Sequence, residues 1–138
     1  MKPLSKSQIA KQVAIEKKVR GILQGLKIKY KSENVFIGYD MILGNLKSAI
    51  GTPCPYCGEK KLSIANVQFD HIIPVVRGGE NKPENFMFIC NTCNRIKDIM
   101  NGEEYIDLRN FIAKYPPQVQ KMLYGKLRQK PMFAGTRG

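Results

Sequence analysis

The sequence predicts an α+β fold, with a small zinc-braced centre flanked by N- and C-terminal helices. Three observations carry this. Apolar residues recur at three- and four-residue spacing near both ends, short β-branched and apolar runs lie in the middle, and two Cys-x-x-Cys pairs bracket those runs. With 138 residues, 43 % of them hydrophobic, one compact unit with terminal arms is the default.

The elements follow in order. Ser5 or Ser7 caps a first helix running to about Leu26, with Ile9, Val13, Ile15, Val19, Ile22, Leu23 and Leu26 as its apolar positions. Its other face is Lys, Arg and Gln, and Gly25 is a candidate stop. Lys27 to Ser32 reads as a basic connector. A second helix is expected over Tyr39–Ala49, ended by Gly51. Thr52 to Gly58 forms a tight knuckle around Cys54 and Cys57. Val67 to Ile73 alternates and is β-branched, so it reads as a strand that Pro74 ends. Arg77 to Pro83 is a loop by composition, and Phe86–Ile89 is a short buried strand. Asn91–Met100 reads as a helix stopped by Asn101-Gly102, and two more helices are expected at Glu103–Lys114 and Pro117–Gln129. Tyr105, Phe111 and Tyr115 fall at helical spacing and are expected in the core. These elements divide into a basic helical arm over 1–34, a zinc-braced core over 35–102 and a basic helical extension over 103–138.

Charge separates the ends from the middle. The chain carries 23 Lys+Arg against 11 Asp+Glu, a formal net charge of +12. Residues 1–32 hold nine basic residues and one acid, and residues 114–138 hold six basic residues and no acid. The middle is slightly acidic. Two basic flanks point to a polyanion, with double-stranded DNA the leading partner. Lys17, Lys18, Arg20, Lys27, Lys29, Lys31, Arg95, Lys126 and Arg128 are the candidate DNA-binding side chains. No apolar run approaches the ~18–20 residues that cross a bilayer, and no secretory signal is evident. A reducing, cytoplasmic setting without a membrane partner is therefore expected, the host's cytoplasm if the chain is viral.

In that setting four cysteines point to metal rather than disulfides. Cys54-x-x-Cys57 and Cys90-x-x-Cys93 are separated by 32 residues. Each short turn aims two thiolates at one ion, and two turns complete tetrahedral four-cysteine coordination of Zn2+. A closed four-thiolate site leaves no position for substrate, so this zinc is expected to be structural. Zinc and four thiolates bring the net charge to roughly +10.

His71 is the single histidine. Asp70 precedes it; Pro74, Gly78-Gly79 and Asn85 follow, then the second knuckle with Asn94 and Lys97. The stretch Cys-Pro-Tyr-Cys, Asp-His-Ile-Ile-Pro, Gly-Gly, Pro-Glu-Asn, Cys-Asn-Thr-Cys-Asn-Arg-Ile-Lys resembles the HNH endonuclease family, of the ββα-metal type. The resemblance covers about residues 35–100. It implies two strands and a helix around one catalytic divalent ion, with the four-cysteine zinc as a separate brace. It implies that His71 is the general base, that Asp70 and Asn94 are ligands of a catalytic metal, and that Asn85 pins the loop that orients the base. It also sets Lys97 where a basic residue faces the scissile phosphate. Asn94 stands where the family often has His, a form that also looks like the HNH domain of CRISPR effector nucleases. An Asp and an Asn oxygen favour Mg2+ or Mn2+. Neighbouring strand residues point to opposite faces, so Asp70 and His71 can share a site only where the strand twists, bulges or ends.

The function expected is a metal-dependent DNA endonuclease, hydrolysing phosphodiesters by nicking or double-strand cutting. Phages and mobile elements are the context the resemblance suggests. The competing reading is a non-catalytic, zinc-braced nucleic-acid-binding protein. A membrane-surface protein using the first helix ranks third. Dimerisation is left open.

Overall fold

The computed structural model describes residues 2–29 and 37–129. Helix α1 spans Lys6–Lys29 and α2 spans Tyr39–Ala49. A two-stranded antiparallel sheet follows, β1 over Val67–His71 and β2 over Phe86–Cys90. Three further helices follow it: α3 over Asn91–Lys97, α4 over Gly102–Ile112 and α5 over Pro117–Gln129. The fold is α+β, as the sequence predicts.

Local chemistry sets several boundaries. Ser5, not Ser7, caps α1: its Oγ accepts from Gln8 N at 3.2 Å while Gln8 Oε1 accepts from Ser5 N at 2.8 Å. Asn101 and Glu104 form the same reciprocal box at the start of α4, both bonds at 2.9 Å. Gly25 does not stop α1, which continues to Lys29; the expected connector from Lys27 is therefore partly helix, and its remainder lies outside the described residues. Helix α3 ends at Lys97, three residues before the expected stop. The chain must turn there to deliver Gly102 N to Ile72 O at 2.9 Å, and Asp98 takes a positive φ of 45° in doing so.

The core joins elements from most of the chain. Ile15, Val19 and Leu26 of α1 are buried with Ile42 and Leu46 of α2, Val67 of β1, Ile89 of β2, Ile96 of α3 and Tyr105 of α4. Burial of aliphatic side chains on this scale is the main stabilising force. Ile9 and Val13 remain exposed, so the first turns of α1 project past the core. Phe111 and Tyr115 are also exposed and pack on each other, with ring centroids 5.7 Å apart; only Tyr105 of that trio reaches the core.

Candidate active site and zinc centre

The two cysteine pairs converge. The Sγ atoms of Cys54, Cys57, Cys90 and Cys93 all lie within 4.8 Å of one another. A tetrahedron of 2.3 Å Zn–S bonds has edges of about 3.8 Å, and Cys57 Sγ is 3.9 Å from Cys90 Sγ. The donor set and spacing therefore fit zinc. Cys90 sits at the N-cap of α3, where its Sγ accepts from Cys93 N at 3.4 Å, and Cys54 Sγ accepts from Cys90 N at 3.4 Å. Thiol hydrogen bonds from Cys90 and Cys93 pull the Cys54 pKa down, and its thiolate then pushes Cys90 and Cys93 up. Crowded thiols ionise together only when a cation balances them, which zinc would do.

His71 is the last residue of β1, paired with Phe86, and the register from Val67 to His71 has no break. β1 has no bulge at these residues: the Asp70 carboxylate meets Lys97, while the His71 ring meets Asn81 and Phe86. His71 is 5 % exposed. Its Nε2 is 2.8 Å from Oδ1 of Asn81, which is also buried, and its ring packs at 4.3 Å from that of Phe86. Burial lowers the His71 pKa; the Asn81 bond opposes this, and Lys29 and Lys97 add to it. The imidazole is therefore neutral near pH 7.

Beyond the strand, the backbone is held from three directions. His71 O accepts from Lys97 Nζ at 2.9 Å. Ile72 N donates to Asn85 O at 2.8 Å, and Ile72 O accepts from Gly102 N. Ile73 N donates to Asn85 Oδ1 at 2.8 Å, while Asn85 Nδ2 donates to Ile73 O and Glu80 O, each at 2.9 Å. The Asn85 side chain thereby closes the loop between the strands. Gly79 lies inside this closure: a Cβ there would sit 1.7 Å from Ile73 O and 2.9 Å from Asn85 Nδ2. Arg77 ties the same loop to α4 by pairing with Glu104.

Asp70 points toward α3. Its Oδ2 lies 3.1 Å from Lys97 Nζ, and this buried oxygen has no hydrogen-bond partner of good geometry among the described residues. Burial pushes the carboxyl up to about 6, against the opposing pull of Lys97. Lys97 itself is fully buried. This corrects its expected role: a side chain sealed between Asp70 and His71 O does not face a phosphate arriving from solvent. Asn94 precedes Lys97 by one turn of α3, shares its helix face and is half-buried. A carboxylate and an amide oxygen are hard donors, the kind that suits a divalent cation such as Mg2+ or Mn2+.

The basic residues divide. Lys17, Arg20, Lys27, Lys29, Lys126 and Arg128 are exposed or partly so, Lys18 is partly so, and Lys31 lies outside the described residues. Arg95 is exposed but donates from Nε to Arg128 O at 2.6 Å, where it caps the C-terminus of α5. Asn81 is the site residue that sequence reasoning missed. The only local signal was an Asn in a loop ten residues after the histidine, which turn chemistry explains as well.

A two-stranded sheet leading into a short helix, with a four-cysteine cluster that could hold zinc and Asp-His at the strand end, defines a ββα module. Residues 54–98 match the HNH endonuclease family. That stretch covers about a third of the chain. Neither the curated proteins nor the solved structures give a match.

Proposed function

We propose that this chain is a metal-dependent DNA endonuclease that hydrolyses phosphodiester bonds with His71 as general base. The observation that supports this most directly is a buried His71 fixed at the end of β1 by Asn81 and by the backbone clamp through Asn85, within the stretch that matches the HNH endonuclease family. Neutral imidazole accepts a proton from water near pH 7. The water oxygen bonds to phosphorus, the bond to the 3′ oxygen breaks, and the water proton passes to His71. Asp70 and Asn94 would hold Mg2+ or Mn2+, which supplies positive charge beside the phosphate and the leaving oxygen. Lys97 keeps Asp70 ionised and holds the His71 carbonyl, a positioning role. Asn85 fixes the loop. The basic side chains of α1 and α5 contact phosphates and carry little base information.

Relaxation of supercoiled plasmid in Mg2+ tests the reading. Cleavage should be abolished by EDTA and should fall about 10^2–10^4-fold in His71→Ala, with zinc content and melting temperature retained. Plasmid that is bound but left intact by the wild type would establish the zinc-braced binder instead.

A further inference from the structure

A groove runs between α1 and β1 and opens on the candidate base. Its cavity volume is about 250 Å3, and it is lined by Lys18, Gly21, Gly25 and Lys29 of α1 facing Phe69 and His71 of β1. A second groove continues it along α1 through Lys18 and Gly21 to Lys17. Among the described residues, no acidic side chain lines either one. The partner this surface fits is therefore anionic, narrow and extended.

The two glycines sharpen the point. Glycine inside a helix is unfavourable relative to almost any other residue, so a packing reason is the first explanation to check. Among the described residues there is none: an added Cβ at Gly21 or Gly25 meets nothing within 4 Å. What their bareness does is keep the groove floor open between Lys18 and Lys29. From Lys18 to Lys29 the helix extends roughly 16 Å at the α-helical rise, the length of about five nucleotides along a B-DNA axis at 3.4 Å each. Lys29 and His71 line the same groove, so its cationic end adjoins the imidazole.

We propose that this α1–β1 groove is the track for the DNA strand flanking the scissile phosphate, with Lys18 and Lys29 on its phosphates and Gly21 and Gly25 giving the sugar–phosphate backbone close approach to the helix. This rests on the nuclease reading for what happens at His71, but not for the binding itself.

The test fills the groove. Gly21→Leu and Gly25→Leu place a side chain in open space, and Gly44→Leu on α2, where an added Cβ also meets nothing, is the control. Binding is read by fluorescence anisotropy of a short labelled duplex in EDTA, across a salt series, and cleavage is read separately in Mg2+. Gly21→Leu and Gly25→Leu should melt no lower than wild type, bind at least tenfold more weakly and cut correspondingly less, while Gly44→Leu matches wild type. Lys18→Gln and Lys29→Gln should each lower the slope of log affinity against log salt by about one. Wild-type binding by both groove-filled variants, or an equal loss in Gly44→Leu, would overturn the track. If wild type binds but does not cut, the nuclease reading fails, and the anisotropy series still decides the groove.

Discussion

Lys97 carries its charge where water does not reach, 3.1 Å from a carboxylate that is itself almost buried. Removing one partner from such a pair leaves the other uncompensated, which typically costs ~3–5 kcal/mol, whereas an exposed lysine costs less than about 0.5 kcal/mol. Lys97→Met should therefore destabilise the protein by about 3–5 kcal/mol in a denaturant titration; a change under about 1 kcal/mol would mean that the side chain is not sealed in. Sequence alone does not reveal this. A lysine one turn past a cysteine knuckle looks like any solvated helix lysine, because its burial depends on Asp70, 27 positions earlier. Asn81 is hidden for the same reason: its partner lies across a loop. His71 and the four cysteines were legible because their chemistry and spacing are unusual in themselves, without any knowledge of the fold.

Among the elements, the loop between β1 and β2 does most to position His71, and Gly78-Gly79 shows how. The two glycines are required for different reasons. Gly78 adopts φ 90°, a left-handed conformation with open space around it. Gly79 has no room, since its Cβ would overlap Ile73 O. Gly78→Ala should cost about 1–2 kcal/mol through its backbone alone and leave cleavage largely intact. Gly79→Ala should displace the Asn85 clamp and with it Asn81 and His71, so cleavage should fall by at least 10^2-fold, on the order of what a misplaced catalytic group costs. Equal activity in the two variants would contradict the clamp. The helices and strands themselves were readable from periodicity, and the ends of α2 and α5 fall where the pattern puts them. The end of α3 was not readable, because a tertiary bond, Gly102 N to Ile72 O, pulls the chain out of the helix before its local sequence would end it.

At the scale of the whole molecule, basic flanks and zinc have to be weighed together. Helix α1 buries Ile15, Val19 and Leu26 in the same core that holds Ile42 and Val67. Deleting residues 1–32 would therefore remove core along with charge, and point substitutions separate the two. The four-cysteine cluster, which could hold zinc, joins the knuckle after α2 to the start of α3. Structural zinc binds with an apparent ~10–16 kcal/mol, as large as the ~5–15 kcal/mol total stability of an ordinary domain. Purified protein should hold one zinc per chain by elemental analysis. Its removal by a strong chelator, or Cys93→Ser, should abolish the cooperative thermal transition seen by circular dichroism; a zinc-free chain that melts normally would refute the brace. The clamp beyond β1 has a consequence for assembly. Its bonds come from Asn85, Lys97 and Gly102, so Ile72 cannot be fixed until the chain has closed a loop reaching thirty positions ahead. Such closures are made late, since their entropic cost precedes their reward. A half-folded chain would therefore already display its positive charge while its histidine still swings without a seat. On the nuclease reading, holding nucleic acid would come early in the life of each molecule, and the power to break it only with the last contacts.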